Sequence, residues 1–221
     1  MVDVRAVQRF YGRWARYYDV LADSTIVGRW RERVVEGLAL DPGDVVVEMG
    51  CGTGANLPLL RDRVGPSGTV IGVDLTPGML REARRWIERG GWSNVHLLEG
   101  DATRPPISAG VDAVLGTFVV GLFDEPASVI DEWVSLLGPS GRIAILEAGP
   151  SDRRAAVPLN LAFRAFTRFS APSSRRAVES PASVLGHRIR LARDRLDART
   201  TDTVHHEFGL GFLSHSAGCR P

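Results

Sequence analysis

Lysine is missing from this chain: all 27 basic residues are arginine. A GC-rich genome accounts for that most simply. The chemical consequence is that neither a Walker phosphate loop nor a Schiff-base lysine is available. Cysteine is almost as scarce. Cys51 and Cys219 form neither a disulfide framework nor a zinc pattern, which points to a reduced, cytoplasmic protein. No apolar run reaches the roughly 18 residues of a membrane span. The first ten residues include Asp3, Arg5, Gln8 and Arg9, which does not match the apolar core of a signal peptide. Internal repeats and low-complexity segments are also lacking.

What is present suits one globular α/β domain with a small appendage: 221 residues, 44% hydrophobic and 24% charged. The net charge of +1 hides an asymmetry. Residues 1–150 hold 15 Arg against 20 acids, whereas residues 151–221 hold 12 Arg against 6. The basic last third suits an anionic substrate or membrane surface, or is simply a solvated helix surface.

Val7, Phe10, Tyr11, Trp14, Tyr17, Tyr18 and Leu21 follow helical spacing, so residues 4–22 are expected to form an amphipathic helix. A second helix, 25–39, stops at the turn signal Asp41-Pro42-Gly43. Strands then alternate with helices: strands at 44–49, 69–74, 95–99, 111–116 and 141–147, helices at 55–63, 77–89 and 126–137. This β-α-β-α order predicts a doubly wound, mainly parallel sheet. Beyond Gly149 the pattern predicts a helix over 158–169, a breaker-rich loop, a helix over 181–195, and two closing strands near 200–207 and 210–217.

The most informative stretch is "VVVEMGCGTGANL", residues 45–57. Gly50-Cys51-Gly52-Thr53-Gly54-Ala55 satisfies the dinucleotide fingerprint G-x-G-x-x-[GA]. Yet Glu48 lies two residues before the first glycine, where a carboxylate opposes a pyrophosphate and favours a cation. S-adenosylmethionine has no phosphate and carries an ammonium, a sulfonium and a carboxylate. An acid followed by a turn of backbone N–H groups suits that charge pattern.

"VVEMGCGTG" resembles motif I, E/D-x-G-x-G-x-G, of the class I S-adenosylmethionine-dependent methyltransferases. Further blocks are similar in order and spacing: "GVDLTPGML" at the second strand end, "LLEGDATRPP" after the third, "VDAVLGTFVV" and "LLGPSGRIAILE". The resemblance covers residues 44–147. It implies a Rossmann-like seven-stranded sheet with an antiparallel C-terminal strand, N-terminal helices and a small helical cap. It implies that Asp74 bonds the ribose hydroxyls and that Asp101 and the N–H of Ala102 meet the adenine. Gly50, Gly52 and Gly54 would form the loop, with Cys51 as a small filler and not a nucleophile. Leu75 and Thr117 would line the cofactor, and Met79 is either an adenine contact or core.

No N/D-P-P-Y motif follows the fourth strand, which disfavours DNA and glutamine N-methyltransferases, and no aspartate stands there as in magnesium-dependent catechol-type enzymes. Phe118 is expected to form an apolar wall. "FYGRWARYYDVL" resembles the helix before motif I in quinone C-methyltransferases and bacterial phosphatidylethanolamine N-methyltransferases, although Gly12 replaces the first aspartate of its pattern. That likeness makes Tyr18 a lid residue over the cofactor.

The implied organisation is an N-terminal lid over 1–40, a cofactor-binding core over 41–149, a helical substrate cap over 150–180, and a closing helix and strand pair over 181–221. Leu159, Ala162, Phe163, Phe166 and Phe169, with Arg164, Arg168, Arg175 and Arg176 nearby, suit an amphipathic or anionic acceptor. A lipid or isoprenoid quinone comes first and a soluble metabolite second. No nucleic-acid partner is expected, and peripheral membrane contact fits the lipid reading. A binding protein without turnover and an NAD-dependent oxidoreductase are the rival functions. His205-His206-Glu207 invites a metal reading, but neighbours on a strand point to opposite faces, so no metal site is expected.

Overall fold

The computed structural model describes residues 25–161, 163 and 181–221. The expected lid helix with Tyr18, and the cap residues Ala162, Arg164, Phe166, Arg168, Phe169, Arg175 and Arg176, lie outside them. Seven strands form one sheet in the order β3-β2-β1-β4-β5-β7-β6. They are β1 (Val45–Met49), β2 (Thr69–Asp74), β3 (Val95–Glu99), β4 (Val111–Thr117), β5 (Leu137–Ala148), β6 (Thr201–Phe208) and β7 (Leu213–Cys219). The first five run parallel, and β7 inserts antiparallel between β5 and β6. Five helices cover the faces: α1 (Thr25–Gly37), α2 (Leu57–Val64), α3 (Pro77–Gly90), α4 (Pro126–Leu136) and α5 (Pro181–Arg199). The chain is also helical at residues 157–161 and 163.

Strand alternation feeds two cores. Val47, Met49, Val114, Ile143 and Ile145 pack with Trp133 and Ile130 of α4 and Leu196 of α5. Val46, Leu115, Ala144 and Leu146 pack with Val34, Val35 and Leu38 of α1 and Leu57 and Leu60 of α2. A β-branched run such as Val45–Val47 suits a strand buried on both faces. Prolines sit in the first turns of α2, α3 and α4, where a missing N–H costs nothing.

Three boundaries differ from the sequence expectation by three residues or more. β5 begins at Leu137 instead of Gly141, because Leu137 pairs with Val111 before an irregularity resets the register at Arg142. Gly138 precedes a proline, which favours extended backbone over helix. α5 runs to Arg199: the Thr200 hydroxyl donates to Leu196 O at 2.7 Å, and Asp131 of α4 accepts from Arg195 and pairs with Arg199. β7 starts at Leu213, since a tight turn at Gly209–Gly211 takes up residues that had read as strand.

Candidate active site

The carboxyl ends of β1, β2 and β4 meet where the strand order reverses, which is where open α/β sheets place ligands. Gly50, Gly52 and Gly54 leave β1 with φ of +67°, +54° and +82°. Their surroundings separate their roles. A Cβ on Gly50 would come within 2.7 Å of Val119, and one on Gly54 within 2.7 Å of Leu57 and 3.0 Å of Ala83. A Cβ on Gly52 would meet none of the described residues within 4 Å. Gly54 therefore serves packing between α2 and α3, and Gly52 faces open space. The Cys51 side chain is buried against Gly72 of β2, where it fills the loop, and burial pushes its thiol well up.

Asp74 closes β2 and turns back onto this loop. Its Oδ2 accepts the Gly52 N–H at 2.9 Å and its Oδ1 the Thr76 N–H at 2.8 Å. Burial raises its pKa, and those two donors oppose the rise. Leu75 and Met79 are half-buried just beyond it. After β3, the exposed Asp101 accepts the Thr103 N–H at 2.8 Å, while the buried Ala102 offers its carbonyl to Trp133 Nε1–H at 2.7 Å. The carbonyl of Ala102 is thus engaged by α4.

Glu48 is 1% exposed, deeper than an acid at a site mouth. Asn56 Nδ2 donates to its Oε1 at 2.6 Å, and its Oε2 is buried with no hydrogen-bond partner among the described residues. Burial, the largest cause, pushes its pKa up to about 7 against the pull of Asn56 and Arg31. A dry carboxylate with one open oxygen suits a cationic donor. The Thr117 hydroxyl at the end of β4 also accepts from Asn56, at 3.1 Å. Phe118, held at φ +58°, lies beneath the Arg31 guanidinium, 5.7 Å from its ring centroid.

Three residues here escaped the sequence reading. Asn56 and Arg31 carried no cue, being a polar residue after a glycine loop and one arginine among many. Glu147 carried the same cue as Glu48, an acid closing an apolar strand. It is buried at the end of β5, where its Oε1 accepts the N–H groups of Val119 and Val120 at 3.1 and 2.8 Å. It holds the backbone turn after β4, and burial raises its pKa to about 7.

A hollow of about 320 Å³ lies apart from this loop, lined by Arg153, Arg193, His205, Glu207 and Ser214. It sits at β6 and β7, beyond β4 and β5 from β1, so the loop chemistry and not the hollow marks the site. His205 there bonds Ser216 and Asp197, both at 2.9 Å. His206 stacks on His215, whose ring borders Gly37 of α1. The two neighbouring histidines do face opposite sides of the sheet.

A sheet in this order, with a buried acid, a glycine turn and a second acid at adjoining strand ends, has the fold of solved methyltransferases. Residues 46–141 match the family model described as "Methyltransferase domain". That match spans less than half of the 221 residues and makes the sheet region similar to a methyltransferase domain. An arsenite methyltransferase of Halobacterium salinarum is 37% identical over 48% of this chain and 28% of its own length. A demethylmenaquinone methyltransferase of Thermus thermophilus is 36% identical over 58% of this chain and 57% of its own. The chain thus spans less than two thirds of either curated relative. A putative methyltransferase solved with the Haloferax volcanii Trm112 methyltransferase activator shares the fold, with a TM-score of 0.68 at 18% identity over 97% of both chains.

The residues present fit the cofactor. Among the described residues, Glu48 Oε2 is a buried acceptor without a partner, suited to a cationic group, and Gly52 leaves space above the loop. Asp74 retains lone pairs for hydroxyl donors beyond its two backbone N–H bonds.

Proposed function

We propose that this chain transfers the methyl group of S-adenosylmethionine to a small, lipid-like acceptor of the quinone class. The cofactor brings the chemistry, a methyl on a positive sulfur that is already an activated leaving group. The protein's part is proximity, orientation and exclusion of water. Glu48 would accept from the ammonium, the Gly52 turn would face the carboxylate, and Asp74 would take the ribose hydroxyls. Asp101, Ala102, Leu75 and Met79 would bound the adenine, and Thr117 the methyl-bearing end. The observation that carries this reading is the open oxygen of buried Glu48 beside the unfilled space at Gly52.

The acceptor class is supported by the demethylmenaquinone methyltransferase relative and by apolar surface after β5. Val157, Leu159 and Leu161 are exposed, and Phe163 packs edge-on against Phe212 at 4.9 Å. In this reading residues 150–180 cap the acceptor, residues 1–40 with Tyr18 cover the cofactor, 41–149 form the core, and 181–221 close the sheet. No helix among the described residues is long and apolar enough to cross a membrane, so a lipid acceptor would be met from the membrane surface.

The test is transfer of labelled methyl from S-adenosylmethionine to a demethylnaphthoquinol in detergent, beside a water-soluble metabolite extract. Label in the quinol supports the proposal. Label confined to the extract assigns a soluble acceptor, and cofactor binding without transfer to either rejects the enzyme reading.

A further inference from the structure

Asn56 lies where three elements cross, and every polar atom of its amide is used. The residue is fully buried just before α2. Its Oδ1 accepts from Arg31 Nη1 of α1 at 2.9 Å. Its Nδ2 donates to Glu48 Oε1 of β1 at 2.6 Å and to Thr117 Oγ1 of β4 at 3.1 Å. An isolated amide could present either its oxygen or its nitrogen to Glu48. A guanidinium has only donors, so Arg31 must meet the oxygen, and the NH2 group is then directed at the carboxylate. The flipped amide would set oxygen against carboxylate and NH2 against guanidinium, opposing dipoles at both ends.

We infer that Arg31 and Asn56 are a positioning pair that keeps the Glu48 carboxylate oriented and ionised for the cationic end of the cofactor. The inference rests on the proposed role of Glu48. It makes α1 a part of the cofactor site through Glu48: the docking of α1 on the sheet reaches the carboxylate through one amide.

Among the described residues, two charged groups act on Glu48. Arg31 from α1 favours its ionised form, Asp74 from β2 opposes it, and the neighbouring Cys51 thiol is neutral. With burial working against ionisation, the carboxylate is balanced near neutrality in the free protein. Loss of either member of the pair lets Glu48 hold its proton to higher pH. A protonated Glu48 offers no charge to an ammonium, so binding must first release that proton. Affinity then falls up to about tenfold for each pH unit below the carboxyl pKa.

The experiment measures S-adenosylmethionine and S-adenosylhomocysteine affinity of the full chain from pH 5.5 to 9. Calorimetry in two buffers of different ionisation heat counts the protons released. In the unmodified chain affinity should rise to a plateau through about pH 7, near the Glu48 midpoint. Arg31→Met and Asn56→Leu should each move that midpoint upward and weaken binding about tenfold at pH 7. Arg31→Lys, which keeps a cation, should move the midpoint less than Arg31→Met. Glu48→Gln should bind weakly with no pH dependence in this range.

An unmoved midpoint in Arg31→Met and Asn56→Leu overturns the positioning role, whatever their absolute affinity. Glu48→Gln binding like the unmodified chain overturns the role of Glu48 itself, a separable failure. Should Asn56→Leu not fold, Arg31→Met carries the same test from a residue nearer the surface, 9% exposed.

Discussion

The Asp74 carboxylate accepts the Gly52 N–H at 2.9 Å, tying the end of β2 to the turn that leaves β1. One side chain thereby shapes the loop and presents acceptors to whatever lies over it. Asp74→Ala is expected to weaken S-adenosylmethionine binding by about 1–3 kcal/mol, since a charged acceptor is lost. Calorimetric affinity equal to that of the unmodified chain would remove Asp74 from the site.

The three loop glycines should respond differently. Gly52→Val adds a side chain where no atom of the described residues stands within 4 Å of the Cβ, so its stability cost is backbone strain at φ +54°, about 1–2 kcal/mol. It should fold and lose cofactor binding, because the side chain takes the cofactor's space. Gly54→Ala meets Leu57 and Ala83 and should lower the melting temperature more than Gly52→Ala does. Thermal melts of the apo proteins give that ranking.

Trp133 fixes the far end of the site through its 2.7 Å bond to Ala102 O. It is fully buried and stacks edge-on against Phe123 at 6.1 Å. Trp133→Phe keeps most of the apolar volume but leaves a buried carbonyl without that donor, at a cost of about 1–3 kcal/mol. The Asp101–Ala102 turn should loosen, with weaker adenosine-end binding. Urea unfolding and affinity for adenosine itself measure the two effects.

Glu147 should make stability depend on pH. Its folded pKa, raised from 4.5 to about 7 by burial, means that the folded state holds a proton which the unfolded chain has released. Its contribution is present below the unfolded value and lost as pH rises through the folded one. A tenfold difference in proton affinity between the two states is worth roughly 1.4 kcal/mol, so the loss is of order a few kcal/mol. His215, with a folded pKa lowered to about 4 by burial, acts in the opposite sense between about 4 and 6.5. The comparison is therefore Glu147→Gln against the unmodified chain at pH 5 and pH 8. The variant, unable to ionise, should match the parent at pH 5 and exceed it at pH 8. An equal difference at both values would count against a titrating Glu147.

Much of the sheet was readable in advance because its cues are local. β2 and β3 fall where the sequence reading puts them, at 69–74 and 95–99, each a short apolar run between turn residues. The misplaced edges have non-local causes. Leu137 is drawn into β5 by pairing with Val111, and β7 takes its start from β5 and β6. Propensity within a window does not contain such partners.

The site divides along the same line. Glu48, Gly52 and Asp74 could be placed at adjoining strand ends in advance, because an acid, a glycine turn and a second acid occur at regular offsets along the chain. The partners that set the state of Glu48 could not. Arg31 lies 25 residues from Asn56, and Thr117 lies 61 residues from it. Glu147 is 27 residues from the Val120 N–H it accepts. Short-range order follows from chain stereochemistry and hydrophobic period. The burial that lifts a carboxylate, and the amide that steadies it, arise only when distant segments pack together and exclude water.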